Sequence, residues 1–256
     1  MRDERPAAPH DAAETARVVH EMRRMLMTYR FGMDELMTKI TVLRDEFRAI
    51  HDDSPIEHIG SRLKSLESIV AKAQRKGIAL TPGALRAQMF DIAGVRITCG
   101  FVSDIRKVRE MLVGQADLTV LEERDYIAHP KENGYKSLHL IVQVPVFLSD
   151  RVEDVTVEIQ IRTIAMDFWA SLEHKIQYKF DHEVPDRLVT ELRLAADVAS
   201  QLDRSMERIH DEVVEHARLD DLAHGVTAPV TSALPPTVLE ALLRSTVAAQ
   251  DHATEG

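Results

Sequence analysis

Val155-Thr156-Val157-Glu158-Ile159-Gln160-Ile161-Arg162-Thr163 alternates between apolar and polar residues along its length. Such a period of two marks a β-strand, because successive side chains leave opposite faces of the pleat. Val155, Val157, Ile159 and Ile161 share one face, while Thr156, Glu158, Gln160 and Arg162 share the other. A carboxylate, an amide and a guanidinium therefore stand in one row. Taken alone, the row reads first as the solvent-facing stripe of an edge strand, and only the neighbouring segments shift that balance.

Upstream, β-branched runs at 95–102, 120–127 and 137–148 predict three more strands, with a short helix at 104–113 between the first two. Before them, Val18, Met22, Met25 and Tyr29, then Leu36, Ile40, Leu43, Phe47 and Ile50, fall at helical spacing and predict two helices broken near Gly32. Ser54-Pro55-Ile56-Glu57 has the form of a helix start, so a third helix is expected to run towards Lys76-Gly77. Beyond Arg162 the helical period returns, and Pro185 opens a long helix. Its Leu188, Leu192, Ala195, Ala199, Leu202, Met206, Ile209 and Val213 form a heptad seam. The expected fold is α+β: a mixed sheet of about four strands flanked by helices, with N- and C-terminal helical extensions. The organisation expected is a disordered tail over 1–11, N-terminal helices over 12–53, a catalytic domain over 54–180, an assembly helix over 181–216 and a loosely ordered tail over 217–256 that includes a short helix at 238–248.

Composition narrows the function. With 256 residues, 45% of them hydrophobic, the chain can bury a sizeable core. A net charge of -10 excludes a uniformly basic surface that coats nucleic acid, so any polyanion must bind locally. The single cysteine, Cys99, lies in an apolar run and reads as a buried inert thiol. No apolar run approaches the length of a membrane span and the N-terminus lacks a signal-peptide core, which predicts a cytoplasmic protein without membrane contact.

In Asp91-Ile92-Ala93-Gly94-Val95-Arg96, an acid precedes a strand, a glycine permits close approach and an arginine points away from Val95. Two carboxylates, Asp91 and Glu158, with cations nearby are what Mg²⁺-assisted phosphoryl transfer requires, since Mg²⁺ takes one or two carboxylates plus substrate phosphates. The basic cluster Arg62, Lys64, Lys72, Arg75 and Lys76, with only Glu67 to oppose it, suits a triphosphate. Its bland alternative is a solvated helical face. In His129-Pro130-Lys131-Glu132-Asn133-Gly134-Tyr135-Lys136-Ser137-Leu138-His139, the Pro and Asn-Gly set a turn that delivers Tyr135, Lys136 and His139 into the next strand. Tyr135 could stack on a base there or simply close a hairpin. Neither a Walker loop nor a Gly-rich dinucleotide fingerprint is present, so side chains must hold ATP. The pair His51-Asp52 lacks the further acids and histidines of a hydrolytic metal cage.

Three blocks, Asp91 to Arg96, Asp125 to His139 and Glu158 to Thr163, together resemble the synthetase domain of the RelA/SpoT family, in family order. Met166-Asp167-Phe168-Trp169, Ser171 to His174 and Tyr178-Lys179 are similar to its small, single-domain branch, and so is Ser54 to Glu57 leading to Arg62 and Lys64. The resemblance spans roughly 54–205 and implies a nucleotidyltransferase-like mixed sheet. It implies an ATP:GDP/GTP 3′-pyrophosphotransferase of the stringent response, making (p)ppGpp and AMP. Asp91 and Glu158 match the Mg²⁺ carboxylates, with Glu158 also activating the acceptor hydroxyl. Arg62 and Arg96 match residues that sandwich adenine, and Lys64 one that binds ATP phosphates; Lys72, from the basic cluster, joins them. Tyr135 matches the guanine-stacking tyrosine, Lys136 and His139 match acceptor positions, and Gln160 and Asp167 complete that group. Many small members carry Arg in place of Lys136 and Asn in place of Asp167, and Glu122, Arg124 and Asp125 fit neither version of the motif tied to acceptor preference. GDP and GTP therefore both stay open.

Two other functions share the fold. One is nucleotidyl transfer, which gives the Tyr135 block no task. The other is a catalytically altered nucleotide-sensing or RNA-binding regulator, which a missing carboxylate would favour. The long seam, with Ala195 and Ala199 permitting close helix approach, needs a partner helix from the 22–50 region or from another subunit. The resemblance implies a homotetramer, with (p)ppGpp or single-stranded RNA as allosteric ligands.

Overall fold

The computed structural model describes residues 12–51, 54–180 and 184–224. A five-stranded mixed sheet in the order β1-β2-β5-β4-β3 forms its centre. The strands are β1 (His58–Leu63), β2 (Ala93–Cys99), β3 (Thr119–Asp125), β4 (Leu138–Phe147) and β5 (Val152–Thr163). β2 and β5 run parallel and the other pairs are antiparallel. The telling strand, β5, is thus the central one, and the edge-strand reading of its polar row is overturned.

Register fixes what each face carries. Val157 and Ile159 of β5 lie between Ala93 and Val95 of β2 and Val142 and Leu140 of β4, and all six belong to the hydrophobic core. Helix α1 (Ala12–His51) adds Met25, Tyr29, Leu36 and Ile40 to that core, and α4 (Val102–Val113) adds Ile105, Val108 and Leu112. The break expected near Gly32 does not occur: α1 is continuous. No proline interrupts it, and one interior glycine costs only about 1 kcal/mol, which the burial of its apolar stripe outweighs. Gly32 serves instead as the contact point with the sheet, since a Cβ there would lie 2.7 Å from the Cβ of Val155.

The helix expected from Ser54 is also corrected. Ser54 Oγ accepts from the Ile56 amide at 3.2 Å, the Glu57 amide donates to the Thr98 carbonyl, and the chain pairs with β2 as β1, a fifth strand. Pairing with an available strand edge outweighs the local start signal. The helix proper, α2 (Leu66–Lys76), begins at Ser65, whose hydroxyl accepts from the Ser68 amide. It stops at Gly77 in the left-handed region, φ 66°. The basic cluster is therefore divided, with Arg62 on β1, Lys64 in the link, and Lys72, Arg75 and Lys76 on α2. A short helix not expected from sequence, α3 (Pro82–Gln88), is capped by Thr81 with Pro82 in its first turn.

From β5 the chain enters α5 (Ile164–Lys179) directly, and α6 (Asp186–His224) follows. The chain divides into two compact units, Met1–Glu207 and Arg208–Gly256. Within the first, Leu192 and Ala196 of α6 pack with Trp169 and Ala170 of α5 and with Tyr135. The chain-facing line of α6 thus runs through Ala196 and Asp203, one position off part of the expected seam, and leaves Leu202 and Met206 exposed. In the second unit helix continues to His224, where a loose tail was expected from 217, and Ile209, Val213 and Leu219 are exposed. The tails at 1–11 and 225–256, with the helix expected at 238–248, and Asp52 lie outside the described residues.

Candidate active site

The polar face of β5 is the floor of the site, and its neighbours in register are the walls. Gly94 stands opposite Glu158 on one side and Ile141 on the other, while Arg96 and His139 flank Gln160. On the outer strands, Arg62 pairs with Gly94 and Gly60 with Arg96. The two guanidiniums thus sit as diagonal neighbours on one face, each opposite a glycine that leaves the space beside it free. At the far edge Arg124 pairs with His139 and holds Glu122 at 2.6 and 2.7 Å.

Five side chains close a ring of hydrogen bonds. Arg162, 5% exposed, donates from Nη2 to the Tyr135 hydroxyl at 2.6 Å and to Gln160 Oε1 at 2.7 Å. Gln160 Nε2 donates to Glu158 Oε2 at 2.9 Å. Tyr135 Oη lies 2.7 Å from His139 Nε2, and His139 Nδ1 lies 3.1 Å from Glu158 Oε1. Direction follows from chemistry. A guanidinium only donates and a carboxylate only accepts, so Tyr135 accepts from Arg162 and His139 donates from Nδ1 to Glu158; in the neutral imidazole Nε2 is then the acceptor, and the Tyr135 hydroxyl donates to it. Both arms run from Arg162 to Glu158. Burial pushes the Glu158 carboxyl up, and the charge of Asp91 adds to that, but the hydrogen bonds it accepts, first from His139 and then from Gln160, outweigh them. Glu158 is left below the usual carboxylate range.

Asp91 is the second carboxylate. Its Oδ2 takes Lys64 at 2.9 Å and Lys72 at 2.5 Å, whereas its Oδ1 is buried and has no hydrogen-bond partner. Burial raises its pKa, but the two lysines more than offset this and hold it below the usual range. An unpaired buried carboxylate oxygen beside Glu158, with two cations at hand, fits a hard divalent cation that brings its remaining ligands on substrate phosphates.

Asp167 bridges Arg162 and Arg96, at 3.2 Å from each. Tyr135 is half-buried, which pushes its phenol pKa up, and Lys131 Nζ lies 4.6 Å from the ring centres of both Tyr135 and Tyr126. Tyr135, His139 and Gln160 are thus brought together with Glu158. Lys136 is not: it lines a small cavity towards α6 with Met166, Trp169 and Asp203, whose burial-raised carboxyl pKa its charge opposes. Sequence reasoning placed Arg162 in the row but gave it no task, and passed over Lys131. Strand parity alone could have singled out Arg162, as the one cation on the central polar face.

The sequence profile described as "Region found in RelA / SpoT proteins" matches residues 61–183. The chain is 50% identical over 196 residues to the GTP pyrophosphokinase YwaC of Bacillus subtilis, covering 77% of this chain and 93% of that protein. The chain belongs to the RelA/SpoT family. Two solved structures of small alarmone synthetase 1 from Bacillus subtilis place the likeness in three dimensions. The one bound to its product pppGpp matches with a TM-score of 0.71 at 44% identity, over 75% of this chain and 97% of that one. The one bound to AMPCPP matches with a TM-score of 0.68 at 40% identity, over 77% and 99%. The RelA/SpoT fold expected from the three blocks is therefore the fold observed, with its sheet mixed and helices at both ends.

The direction of the ring can be read from the His139 imidazole. Nitrogen-detected NMR is expected to find the neutral form of the ring protonated at Nδ1, and Tyr135→Phe, which leaves the bond to Glu158 in place, to keep that tautomer while shifting the Nε2 resonance. A neutral ring protonated at Nε2 in the parent chain would contradict it.

Proposed function

We propose that the chain transfers the β,γ-pyrophosphate of ATP to the 3′-hydroxyl of GDP or GTP, releasing AMP. The observation that carries this reading is the pairing of Glu158, hydrogen-bonded on both oxygens, with Asp91, whose Oδ1 is unsatisfied. Asp91 and Glu158 would hold Mg²⁺, which neutralises donor phosphate charge when bound. Lys64 and Lys72, resting on Asp91, are placed to transfer their charge to the ATP phosphates, and Arg62 and Arg96 to flank adenine. The guanine stacks on Tyr135, displacing the ammonium of Lys131 from the ring face. His139 and Gln160 hold the Glu158 carboxylate in place, and Asp167 holds the Arg162 guanidinium behind it. Lys136 reaches the acceptor phosphates by turning from its place beside Asp203.

In the transfer itself, the 3′-oxygen attacks the β-phosphorus while Glu158 takes the hydroxyl proton. The bond from that phosphorus to the α–β bridging oxygen breaks, and AMP leaves with the electron pair. The regulator alternative has no observation in its favour, because both carboxylates are in place.

Glu158→Gln keeps the size of the side chain and removes the base, losing one of the two hydrogen bonds that the carboxylate accepts. With Mg²⁺, ATP and GDP, its AMP release is expected to fall by about 10²-fold or more while circular dichroism stays that of the parent. Activity above a few per cent of the parent's in that folded variant would sink the assignment. Tyr135→Ala acts on one nucleotide only, and a lost stack of about 1–3 kcal/mol should raise the acceptor KM strongly and the ATP KM little.

The same proposal places the protein in the cytosol as a homotetramer. Among the described residues no helix is long and apolar enough to cross a membrane. Leu194, Val198, Leu202 and Met206 expose apolar surface along α6, and α1, the intramolecular partner considered for the seam, spends its apolar stripe on the sheet. Light scattering is expected to give four times the chain mass, and Leu202→Asp with Met206→Asp a smaller folded species. A monomeric mass for the parent at micromolar concentration would overturn the assembly. Binding of (p)ppGpp or RNA between subunits would be a consequence of that assembly.

A further inference from the structure

The turn that carries Tyr135 has little structure of its own. Between β3 and β4 its backbone is held by the Gly134 amide on the Lys131 carbonyl, the Lys131 amide on the Tyr135 carbonyl, and Asn133 Oδ1 on the Tyr135 amide. The Tyr135 side chain is held by Arg162 of β5 and His139 of β4, and further ties come from helices later in the chain. From α5, Glu173 takes the Asn133 side-chain amide at 3.0 Å. From α6, Arg193 donates through Nε at 2.9 Å, and also through Nη2, to one acceptor, the Glu132 carbonyl. Gly134, at φ 88°, lies so close to α6 that a Cβ on it would stand 2.6 Å from the Cβ of Ala196. One turn earlier, the Leu192 carbonyl of α6 accepts the Trp169 indole N–H at 2.8 Å, and the Trp169 ring centre is 6.5 Å from that of Tyr135.

These contacts join the turn to α5 and α6, whereas Glu158 lies on β5. Arg193 is exposed and Ala196 buried, so one anchors the turn through charge and the other through shape. Surface loops move unless tied, and a displacement of about 1 Å in a positioning group can cost on the order of 10²-fold in rate.

We propose that α6 sets the acceptor site, with Arg193 and Ala196 as positioning residues that fix the Lys131–Tyr135 turn against the Leu192–Ala196 stretch of that helix. This rests on the reading of Tyr135 as the acceptor's stacking partner. On this account docking of α6 and affinity for the guanine nucleotide are linked, while the ATP side, built on β1, α2 and Asp91, is not. Glycine at 134 and alanine at 196 then follow from one requirement, the close approach of loop and helix.

Arg193→Ala tests the link with two independent readouts. Amide exchange of residues 131–136 reports on the turn itself, and the fluorescence of Trp169, the single tryptophan, reports on α6 docking. The expected result is faster exchange across the turn and an acceptor KM raised about tenfold, with the ATP KM within about twofold of the parent. Arg193→Lys, with one ammonium in place of a fork, should recover part of the loss, and Ala196→Leu should reproduce it by pushing Gly134 away. Unchanged exchange in Arg193→Ala, or equal weakening of both nucleotides, would overturn the proposal. If exchange accelerates and Tyr135→Ala leaves the acceptor KM unmoved, the acceptor role of Tyr135 has failed and the link to affinity falls with it. If Tyr135→Ala raises that KM and Arg193→Ala does not, the assignment stands and the positioning role alone is wrong.

Discussion

The parity of β5 is the constraint on which the rest depends. Because side chains alternate and the strand is central, one face must be apolar enough to bury against α1 and α4, and the other is left for function. A slip of one residue would send Glu158, Gln160 and Arg162 into the core and Val157, Ile159 and Ile161 into the cleft, exchanging every role at once. The same parity propagates to both neighbours, placing Gly94 beside Glu158 and His139 beside Gln160. The strand that holds the fold together is therefore also the strand that spaces the site.

On that floor the electrostatics have a single direction. Arg162 is buried, which is tolerable because Ser137, Tyr135, Gln160 and Asp167 all receive its protons. Its two arms end on opposite oxygens of Glu158, so the carboxylate is held by groups that are themselves held. Asp91 is the opposite case, with one oxygen shared by two lysines and the other unsatisfied. One carboxylate is hydrogen-bonded on both oxygens and the other keeps one buried oxygen unpaired. That asymmetry suits a site in which one group must receive a proton and the other must help to neutralise an incoming polyphosphate.

Much of this was legible in the sequence, and the limits have physical causes. The strands β2 to β5 were readable because burial on one or both faces stamps a period on the residues. β1 was not, because no residue of the edge strand His58–Leu63 is buried and its exposure does not alternate, while Ser54-Pro55 is as good a start for a helix as for a strand. Gly32 was misread as a break because its reason for being glycine, Val155, lies more than a hundred residues away. Asp91, Glu158, Tyr135 and His139 could be singled out by residue type and spacing, yet the ring joining Tyr135 and His139 to Glu158 could not, since it closes across strands. Lys136 was grouped with its sequence neighbours, whereas alternation turns it away from Tyr135 towards α6. The seam of α6 was visible as a pattern, but which of its faces met this chain depended on Trp169 and Gly134.

The most direct test of the transfer is the fate of labelled phosphorus in ATP. With ATP labelled in turn at the α, β and γ positions, and GDP as acceptor, β and γ label are expected to move together into the 3′-modified guanosine nucleotide while α label remains in AMP. Appearance of α label on the acceptor would mean nucleotidyl transfer, and transfer of γ label alone would mean simple phosphoryl transfer. Either result would contradict attack at the β-phosphorus and the site assignments built on it.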